Sequence, residues 1–438
     1  MATMEKIVSL CKRRGFIYPG SEIYGGLANT YDYGPLGAEL KNNIRQAWWK
    51  YFIQNRDDMV GIDGGVIINP KIWEASGHIK EFKDPLVECK KCHKRFRPDK
   101  LKDVSKCPEC SGEMTREKLF SGMFETIIGP VKKEGTAVYL RPETAQNIFI
   151  NFKNVLDSTN IKIPFGIGQI GKAFRNEITT GQFIFRTIEF EIMELEYFIA
   201  PDAKWKKIFE EWVEYMREFM DIIGLDRKKM RDNEIPEKER AHYSKRTIDL
   251  EYEFPFGQDE LWAIAYRTDY DLKNHQEMSG QNLEYFDEKA KKKYIPHVIE
   301  PTFGLDRTIL AVLTEAYQEE KLDNGEIRTV LKLNPNLAPY KAAVFPLLRN
   351  KPELVAKAKE VYNSLKNHFT IIFDDNGNIG KRYRRQDEIG TPACVTIDFE
   401  SLKNNDVTVR DRDTMKQERI KIENLVKYLY ERLQKDNS

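Results

Sequence analysis

No stretch of the 438 residues approaches the ~18 consecutive apolar positions that a membrane span needs. Residues 1–15 carry charges where a secretory leader would need an apolar run, so the expected location is cytoplasmic, with no membrane partner. Cysteine is scarce. Of the 6 present, Cys11 and Cys394 are isolated and the rest form two Cys-x-x-Cys pairs, which argues against a disulfide framework and for metal in a reducing compartment. An excess of charge of one sign is missing too: 70 Lys and Arg stand against 69 Asp and Glu, so a polyanionic partner must be drawn by local patches. Internal repeats and low-complexity runs are absent, which excludes solenoid and disordered classes.

What is there suits a soluble globular protein. Apolar residues make up 41% and charged residues 32%, and the length favours two or three domains. Residues 89–110 form a Lys-rich insert between apolar segments. Residues 323–339 read as a linker, because Asn334, Pro335, Asn336 and Pro339 interrupt helical periodicity. Beyond them a strand-like run (342–348) precedes an amphipathic stretch (352–367), strand candidates at 370–373, 393–399 and 406–410, and a closing helix at 422–433. That alternation predicts a compact α/β domain. The middle of the chain, 139–198 and 247–269, carries strand signals without regularly spaced helices, predicting an antiparallel sheet with an amphipathic helix at 204–224 beside it. The fold class is therefore α+β. The divisions are 1–335, an insert at 86–118 inside it, and 336–438.

Two segments carry chemistry. Residues 174–196, FRNEITTGQFIFRTIEFEIMELE, read as a strand, a turn around Thr179 to Gly181, and a second strand. A period of two puts Arg186, Ile188, Phe190, Ile192 and Glu194 on one face of the second strand, and Arg175 with Glu177 on one face of the first. Guanidinium forks suit phosphate and a ring can stack on a base, which is the equipment of an ATP site. Each residue alone is as well explained by a half-solvated sheet. Residues 299–313, IEPTFGLDRTILAVL, run from a strand through a Pro and Gly turn into a helix with apolar Leu305, Ile309, Val312, Leu313 and Ala316 at helical spacing. Arg307 falls in its first turn, where its charge adds to the free amide donors. An exposed arginine on a surface helix is the plain alternative.

Together these strings resemble class II aminoacyl-tRNA synthetases. The Phe-Arg-x-Glu and Arg-x-x-x-Phe of the first resemble motif 2, and the Gly-x-x-Arg of the second resembles motif 3. A helix at 37–55 running into a strand at 65–69 and Pro70 is a weaker likeness to motif 1, the element that builds the family's homodimer. The resemblance implies an antiparallel catalytic core holding ATP and Mg²⁺. By it Arg175 holds the α-phosphate, Phe190 stacks on adenine, Arg186 reaches the outer phosphates, and Arg175 and Arg307 stabilise the developing charge. Asn176, Glu177, Phe185, Leu261, Gly304, Leu305 and Asp306 complete the nucleotide site, and Glu260 holds magnesium.

LRPETAQ at 140–146 resembles the glycyl branch of that family. It implies a pocket in which Glu143, Glu191, Glu194 and Glu300 bind an α-ammonium group, with Gly304 and with Thr302 where the branch has Ser. Arg97 contacts substrate by the same likeness, and Arg267 points into the same cavity. A cavity separates one methylene from none by only ~1–3 kcal/mol of burial, so larger amino acids must be refused by collision. The expected activity is ATP-dependent activation of glycine and its transfer to tRNA(Gly).

Cys89, Cys92, Cys107 and Cys110 have close to the spacing of a four-cysteine zinc ribbon, a structural Zn²⁺ site by that rule. His93 is a bystander. The C-terminal domain resembles the anticodon-binding domain of the glycyl, histidyl, prolyl and threonyl enzymes. Lys381, Arg382, Arg384 and Arg385 there offer cations to tRNA phosphates, and Tyr383 offers a ring for a base. A solvated helix face is the alternative. Two rival functions remain: a relative that lost catalysis and serves as an RNA-binding subunit, which should lack the phosphate-binding arginines, and a synthetase for another amino acid, which should lack LRPETAQ.

Overall fold

The structure, a computed structural model, describes residues 3–98, 101–131, 135–177 and 181–435. Its centre is a seven-stranded sheet in the order Met230–Glu234, Arg246–Phe254, Gly257–Thr268, His297–Gly304, Glu189–Ile199, Phe165–Phe174 and Met59–Gly61. Six strands pair antiparallel and Met59–Gly61 joins the edge in parallel. The expected α+β class with an antiparallel core is what forms.

Alternation along Glu189–Ile199 decides what each face does. Met193, Leu195, Tyr197 and Ile199 enter the main core, which helices Pro35–Trp49, Trp205–Ile223 and Leu305–Ala316 share. Ile192, Glu194, Glu196 and Phe198 take the other face, where Phe198 packs with Phe149, Phe152 and Leu272 of helices Ala145–Thr159 and Tyr270–Ser279. Helix Trp205–Ile223 forms because Phe209, Trp212, Val213, Met216, Phe219, Met220 and Ile223 repeat at helical spacing; all are buried, and Gly224 ends it in a left-handed turn. Its Trp212 meets Phe52 and Tyr197, stitching helix to sheet.

Residues from Ala342 onward build a second sheet, ordered Ile371–Phe373, Ala342–Pro346, Ala393–Ile397, Asp406–Asp411 and Gln417–Lys421, parallel across the first three and antiparallel after. Helices Pro352–Leu365 and Leu425–Lys435 cover one face; Ile379–Ile389 packs on the other through Ile379 and Tyr383. The insert is a three-stranded sheet of Lys83–Glu88, Arg95–Phe96 and Lys118–Ser121.

Several elements differ from the reading of the sequence. Residues 65–69 are not a strand; Ile67 makes one isolated bridge to Leu140, and the paired strand is Met59–Gly61. The preceding helix starts at Pro35, a favoured first-turn residue, and widens into a π-helix over Lys50–Gln54. Ala145–Thr159 is a helix inside a region read as strands. Its buried Ile148, Phe149, Phe152, Val155 and Leu156 keep helical spacing, which the β-branched and aromatic composition obscured. The proposed linker holds strand Ile327–Leu331, paired with Tyr317–Lys321, and sends Leu333 and Leu337 into the main core. Strand Gln417–Lys421, exposed and charged, gave no apolar signal.

Candidate active site

Hairpin Phe165–Phe174 with Glu189–Ile199 pairs Phe174 with Glu189 and Ala173 with Phe190, so the loop between begins at Arg175. Arg186 therefore lies in the loop, after the short 3-10 turn Phe183–Phe185, and not on the strand face with Phe190. Thr179 and Thr180 of the expected turn lie outside the described residues. The loop, strand Gly257–Thr268 and the start of helix Leu305–Ala316 line a cleft open to solvent. Every residue assigned to the nucleotide lines it except Asn176 and Leu305. Leu305 is fully buried in the main core, because a helix of this spacing must turn it inward, and the Asn176 amide donates to Gly122 O.

Three guanidinium groups converge there. Arg175 donates from Nε to Pro142 O (3.1 Å) and lies 5.4 Å from the Phe190 ring centre. Arg307 lies 4.4 Å from the Phe185 ring centre and donates to the Glu260 carbonyl (2.9 Å), and its guanidinium pairs with the Glu260 carboxylate at 3.1 Å. Arg186 sits 3.6 Å from Glu177. Desolvation in the cleft pushes the Glu260 carboxyl upward, but Arg307 first, then Arg175 and Arg186, outweigh it and hold the group below the usual carboxylate range. Gly304 caps helix Leu305–Ala316 without a side-chain acceptor.

Beside the cleft lies a buried cluster of acids, Glu143, Glu194 and Glu300. Glu194 accepts from the Thr144 amide (2.9 Å), the Thr144 hydroxyl (2.5 Å) and the Thr302 hydroxyl (3.3 Å). Thr302 thus supplies the hydroxyl that Ser would. Glu300 accepts from Arg267 (2.8 Å), whose other nitrogens hold Asp271 at 2.7 Å and whose guanidinium stacks 3.7 Å from the Tyr243 ring centre. Arg267 is wholly buried and committed to these acids, so it positions the pocket wall. Glu143 meets His78 Nε2 at 3.1 Å and accepts from Gln146 at 2.9 Å. Burial raises the Glu143 carboxyl, yet His78 beside it and Arg267 hold it well below the ordinary range. Burial and the neighbouring acids push Glu300 up to about 8, despite Arg267, and raise Glu194.

Glu191 lines the cleft but stands apart from these acids. At an odd position it faces helix Pro35–Trp49, pairing with Lys41 (2.9 Å) and Arg45 (3.1 Å), while its amide donates to Asp306 (2.7 Å). Asp306 also accepts from the Tyr33 hydroxyl and so forms part of the cleft floor. Arg97 lies just past strand Arg95–Phe96 in the insert and does not line the cleft. Arg141 of LRPETAQ is structural: it donates to Lys172 O (2.7 Å) and Gly64 O (2.7 Å), in a space that a Cβ on Gly171 would fill. His78, Gln146, Asp271, His275 and Tyr243 went unread, because only long-range pairing brings them to the pocket; Gln146, inside LRPETAQ, had the one local signal.

In the insert the four thiols gather, Cys89 Sγ to Cys110 Sγ at 3.4 Å and Cys92 Sγ to Cys107 Sγ at 3.7 Å. Tetrahedral thiolates on zinc stand ~3.8 Å apart, so the donor set fits the metal. The amides of Lys91 and Cys92 both point at Cys89 Sγ (3.4 Å), as a metal knuckle requires. His93 turns away to Glu88. The insert's own core is Val87, Cys89, Cys107 and Met114, too little to fold unaided. The expected result is about one zinc per chain, lost in Cys107→Ser together with protease resistance of the insert alone; metal analysis and limited proteolysis check it, and an intact, metal-free insert would contradict it.

Helix Ile379–Ile389 divides its cations. Arg382 is buried and donates to Pro346 O and Gly377 O (2.8 Å), so it is a strut within the domain. Arg385 binds Asp374 (2.6 Å), and Arg384 reaches Glu326 at 3.8 Å. Lys381 is exposed. The Tyr383 ring packs on Phe345 and its hydroxyl meets Thr396 Oγ1 at 2.7 Å, which leaves it unavailable as a stacking platform.

Comparison with known proteins agrees with this layout. The profile described as "tRNA synthetase class II core domain (G, H, P, S and T)" matches residues 125–316, and "Anticodon binding domain" matches 341–432. A glycine–tRNA ligase of Alkaliphilus oremlandii is 51% identical over 98% of this chain and 98% of its own length. Those of Geobacillus thermodenitrificans and Clostridium acetobutylicum are each 50% identical over 98% of this chain, covering 97% and 99% of their own lengths. Among the described residues no helix is long and apolar enough to cross a membrane.

Proposed function

The chain belongs to the glycine–tRNA ligase family of class II aminoacyl-tRNA synthetases, and from that membership we infer how its residues divide the work. The enzyme joins glycine to tRNA(Gly) at the expense of ATP. Three arginines held around one cleft next to a buried acidic pocket carry the assignment of roles. ATP lies in the cleft with its α-phosphate at Arg175, its adenine against Phe190 and its outer phosphates toward Arg186 and Arg307. The ammonium group of glycine enters among Glu143, Glu194 and Glu300, which leaves its carboxylate facing the nucleotide.

The glycine carboxylate oxygen attacks the α-phosphorus, the bond to the bridging oxygen breaks, and pyrophosphate leaves with that electron pair. Arg175 and Arg307 neutralise the negative charge that gathers on the phosphate oxygens, so the protein works by positioning and electrostatics, without a covalent nucleophile. In the second step a 3′-terminal tRNA hydroxyl attacks the glycyl carbonyl and AMP departs. Glu260, kept ionised by its arginine neighbours, is the group that would hold Mg²⁺, which supplies charge neutralisation on the phosphates. The four thiols would hold structural Zn²⁺.

We assign catalysis to 1–335, with the insert at 86–118, and anticodon binding to 336–438, where Lys381 and Arg384 are the two of the four helix cations not committed inside the domain. Association through helix Pro35–Trp49 into a homodimer belongs to the same proposal. The reading as an RNA-binding subunit without catalysis is disfavoured, because Arg175, Arg186 and Arg307 all reach the cleft.

ATP–pyrophosphate exchange with each amino acid in turn tests the assignment. Exchange is expected with glycine and with no larger amino acid. Exchange with serine or proline in preference to glycine would overturn the pocket, and none at all would favour the non-catalytic reading.

A further inference from the structure

Strand Glu189–Ile199 carries one more carboxylate, which the reaction as described leaves without a task. Glu196 is fully buried, and neither of its oxygens has a hydrogen-bond partner among the described residues. An unpaired buried carboxylate is among the costliest groups a fold can keep. Its position is not incidental. The register that pairs Glu194 with Thr302 and Tyr197 with Ile299 sets Glu196 directly across from Glu300, and the period of two puts it on the face of Glu194. One oxygen from each of the three acids lies within 4.8 Å of the others. A tetrahedral ammonium donating three N–H bonds of ~2.8 Å holds its acceptors ~4.6 Å apart. The bound on the three oxygens admits that spacing, so one –NH₃⁺ group can bridge them.

We propose that Glu196 is a direct ligand of the substrate's amino group, the third leg of a Glu194, Glu196 and Glu300 tripod that accepts its three N–H bonds, while Glu143, whose oxygens are held by His78 and Gln146, adds its charge from the pocket wall. This rests on the reading of the acidic pocket as the glycine site and adds to it a demand: the amine must be primary. Collision with the walls refuses side chains; the tripod refuses N-substituted amino acids, because a secondary amine leaves one acid facing a methyl group.

The surrounding charges fix what happens before substrate arrives. Glu196 faces Glu194 on its own strand, Glu300 across from it, Arg267 of strand Gly257–Thr268 and Asp271 of helix Tyr270–Ser279; its neighbour on strand Phe165–Phe174 is Ile167. Arg267 is shared between Asp271 and Glu300. Three carboxylates this close, with so little positive charge, cannot all ionise. Burial first, then Glu300, raises the Glu196 carboxyl well above the ordinary range. The free pocket thus stores a proton among the acids, and the entering ammonium displaces it to solvent: a carboxylic acid becomes the carboxylate that pairs with –NH₃⁺. For stability the sign is opposite to that of a salt-bridged acid. The native state holds the extra proton between the ordinary carboxylate pKa and the raised one, so stability is lost as pH rises through that window.

The test compares Glu196→Gln and Glu196→Leu with Glu194→Gln in the full-length enzyme. Glycine exchange kinetics, thermal melting, and titration calorimetry of glycine in two buffers of different ionisation enthalpy are the readouts. In both Glu196 variants the glycine KM should rise on the order of tenfold to a hundredfold, the usual weight of a hydrogen bond to a charged group. The ATP KM should hold, fewer protons should be released on binding, and discrimination against N-methylglycine should narrow. Melting of Glu196→Gln should match or exceed the parent's at pH 8, since a like-charge contact is gone. A parental glycine KM and proton count in both variants, or a Gln variant that melts well below the parent, would overturn the tripod and leave Glu196 a structural acid. If Glu194→Gln also left the glycine KM unchanged, the pocket itself would be misassigned.

Discussion

Arg307→Ala is expected to lower glycine-dependent ATP–pyrophosphate exchange by roughly 10²- to 10³-fold or more, with the melting temperature close to the parent's. The two halves of that expectation come from different magnitudes. Arg307 is partly exposed and its Glu260 partner more so, and a pair open to water on that scale contributes only ~0–1 kcal/mol to folding. Removing the guanidinium also frees Phe185 from one contact, but that ring stays packed edge-on between Phe254 and Phe256. In the reaction the same group sits at an uncapped helix N-terminus, aimed where charge accumulates on leaving pyrophosphate. There a lost donor costs about 3–4 kcal/mol of transition-state stabilisation. Arg307→Lys keeps the charge and loses the fork, so it should recover part of the rate. Exchange at a tenth of the parental rate or better in the Ala variant would remove this helix end from the chemistry.

The legible parts of the molecule share a physical reason. Residues lie where the sequence placed them when local spacing and tertiary need agreed: Arg175 just past a strand end, Gly304 and Arg307 at a strand-to-helix turn, the cysteine knuckles, helix Trp205–Ile223. What was lost depended on facts no window of sequence holds. Glu191 and Glu194 are both glutamates on one strand, and only the location of the pocket says which parity matters. Arg382 and Tyr383 look like a nucleic-acid patch until the sheet beneath the helix claims them. Arg267 was expected to point into the substrate cavity, but its partner Asp271 lies four residues on, in a helix that could not be seen to bend back over it. The network of His78, Glu143, Gln146 and His275 includes a direct contact between residues 129 apart, Gln146 to His275.

The same long-range logic bears on how the two sheets communicate, and Asp387→Ala should expose it. Asp387, on helix Ile379–Ile389, is buried and holds Arg328 at 2.8 Å and Arg410 at 2.9 Å. Arg328 is on strand Ile327–Leu331, outside the C-terminal sheet, and binds Glu320 at 2.6 Å and Arg412 O as well. One carboxylate therefore ties the helix that bears Lys381 and Arg384 both to its own sheet and to the catalytic body. Deleting a single partner from such a buried set leaves guanidinium groups desolvated and unneutralised, a loss of about 3–5 kcal/mol. That is a large share of the ~5–15 kcal/mol by which a domain is usually stable. Glu320 still serves Arg328 and the Tyr383 ring still lies 4.8 Å from Arg410, so the lower end of the range is the better expectation. Calorimetry should find a lower melting transition for the C-terminal sheet. Glycine exchange at 25 °C should persist, because no residue of the cleft contacts Asp387, while charging of tRNA falls through a raised tRNA KM. Equal losses in exchange and charging would mean the ion pair supports the active site itself, and an unchanged melt would mean that water or another acid takes its place.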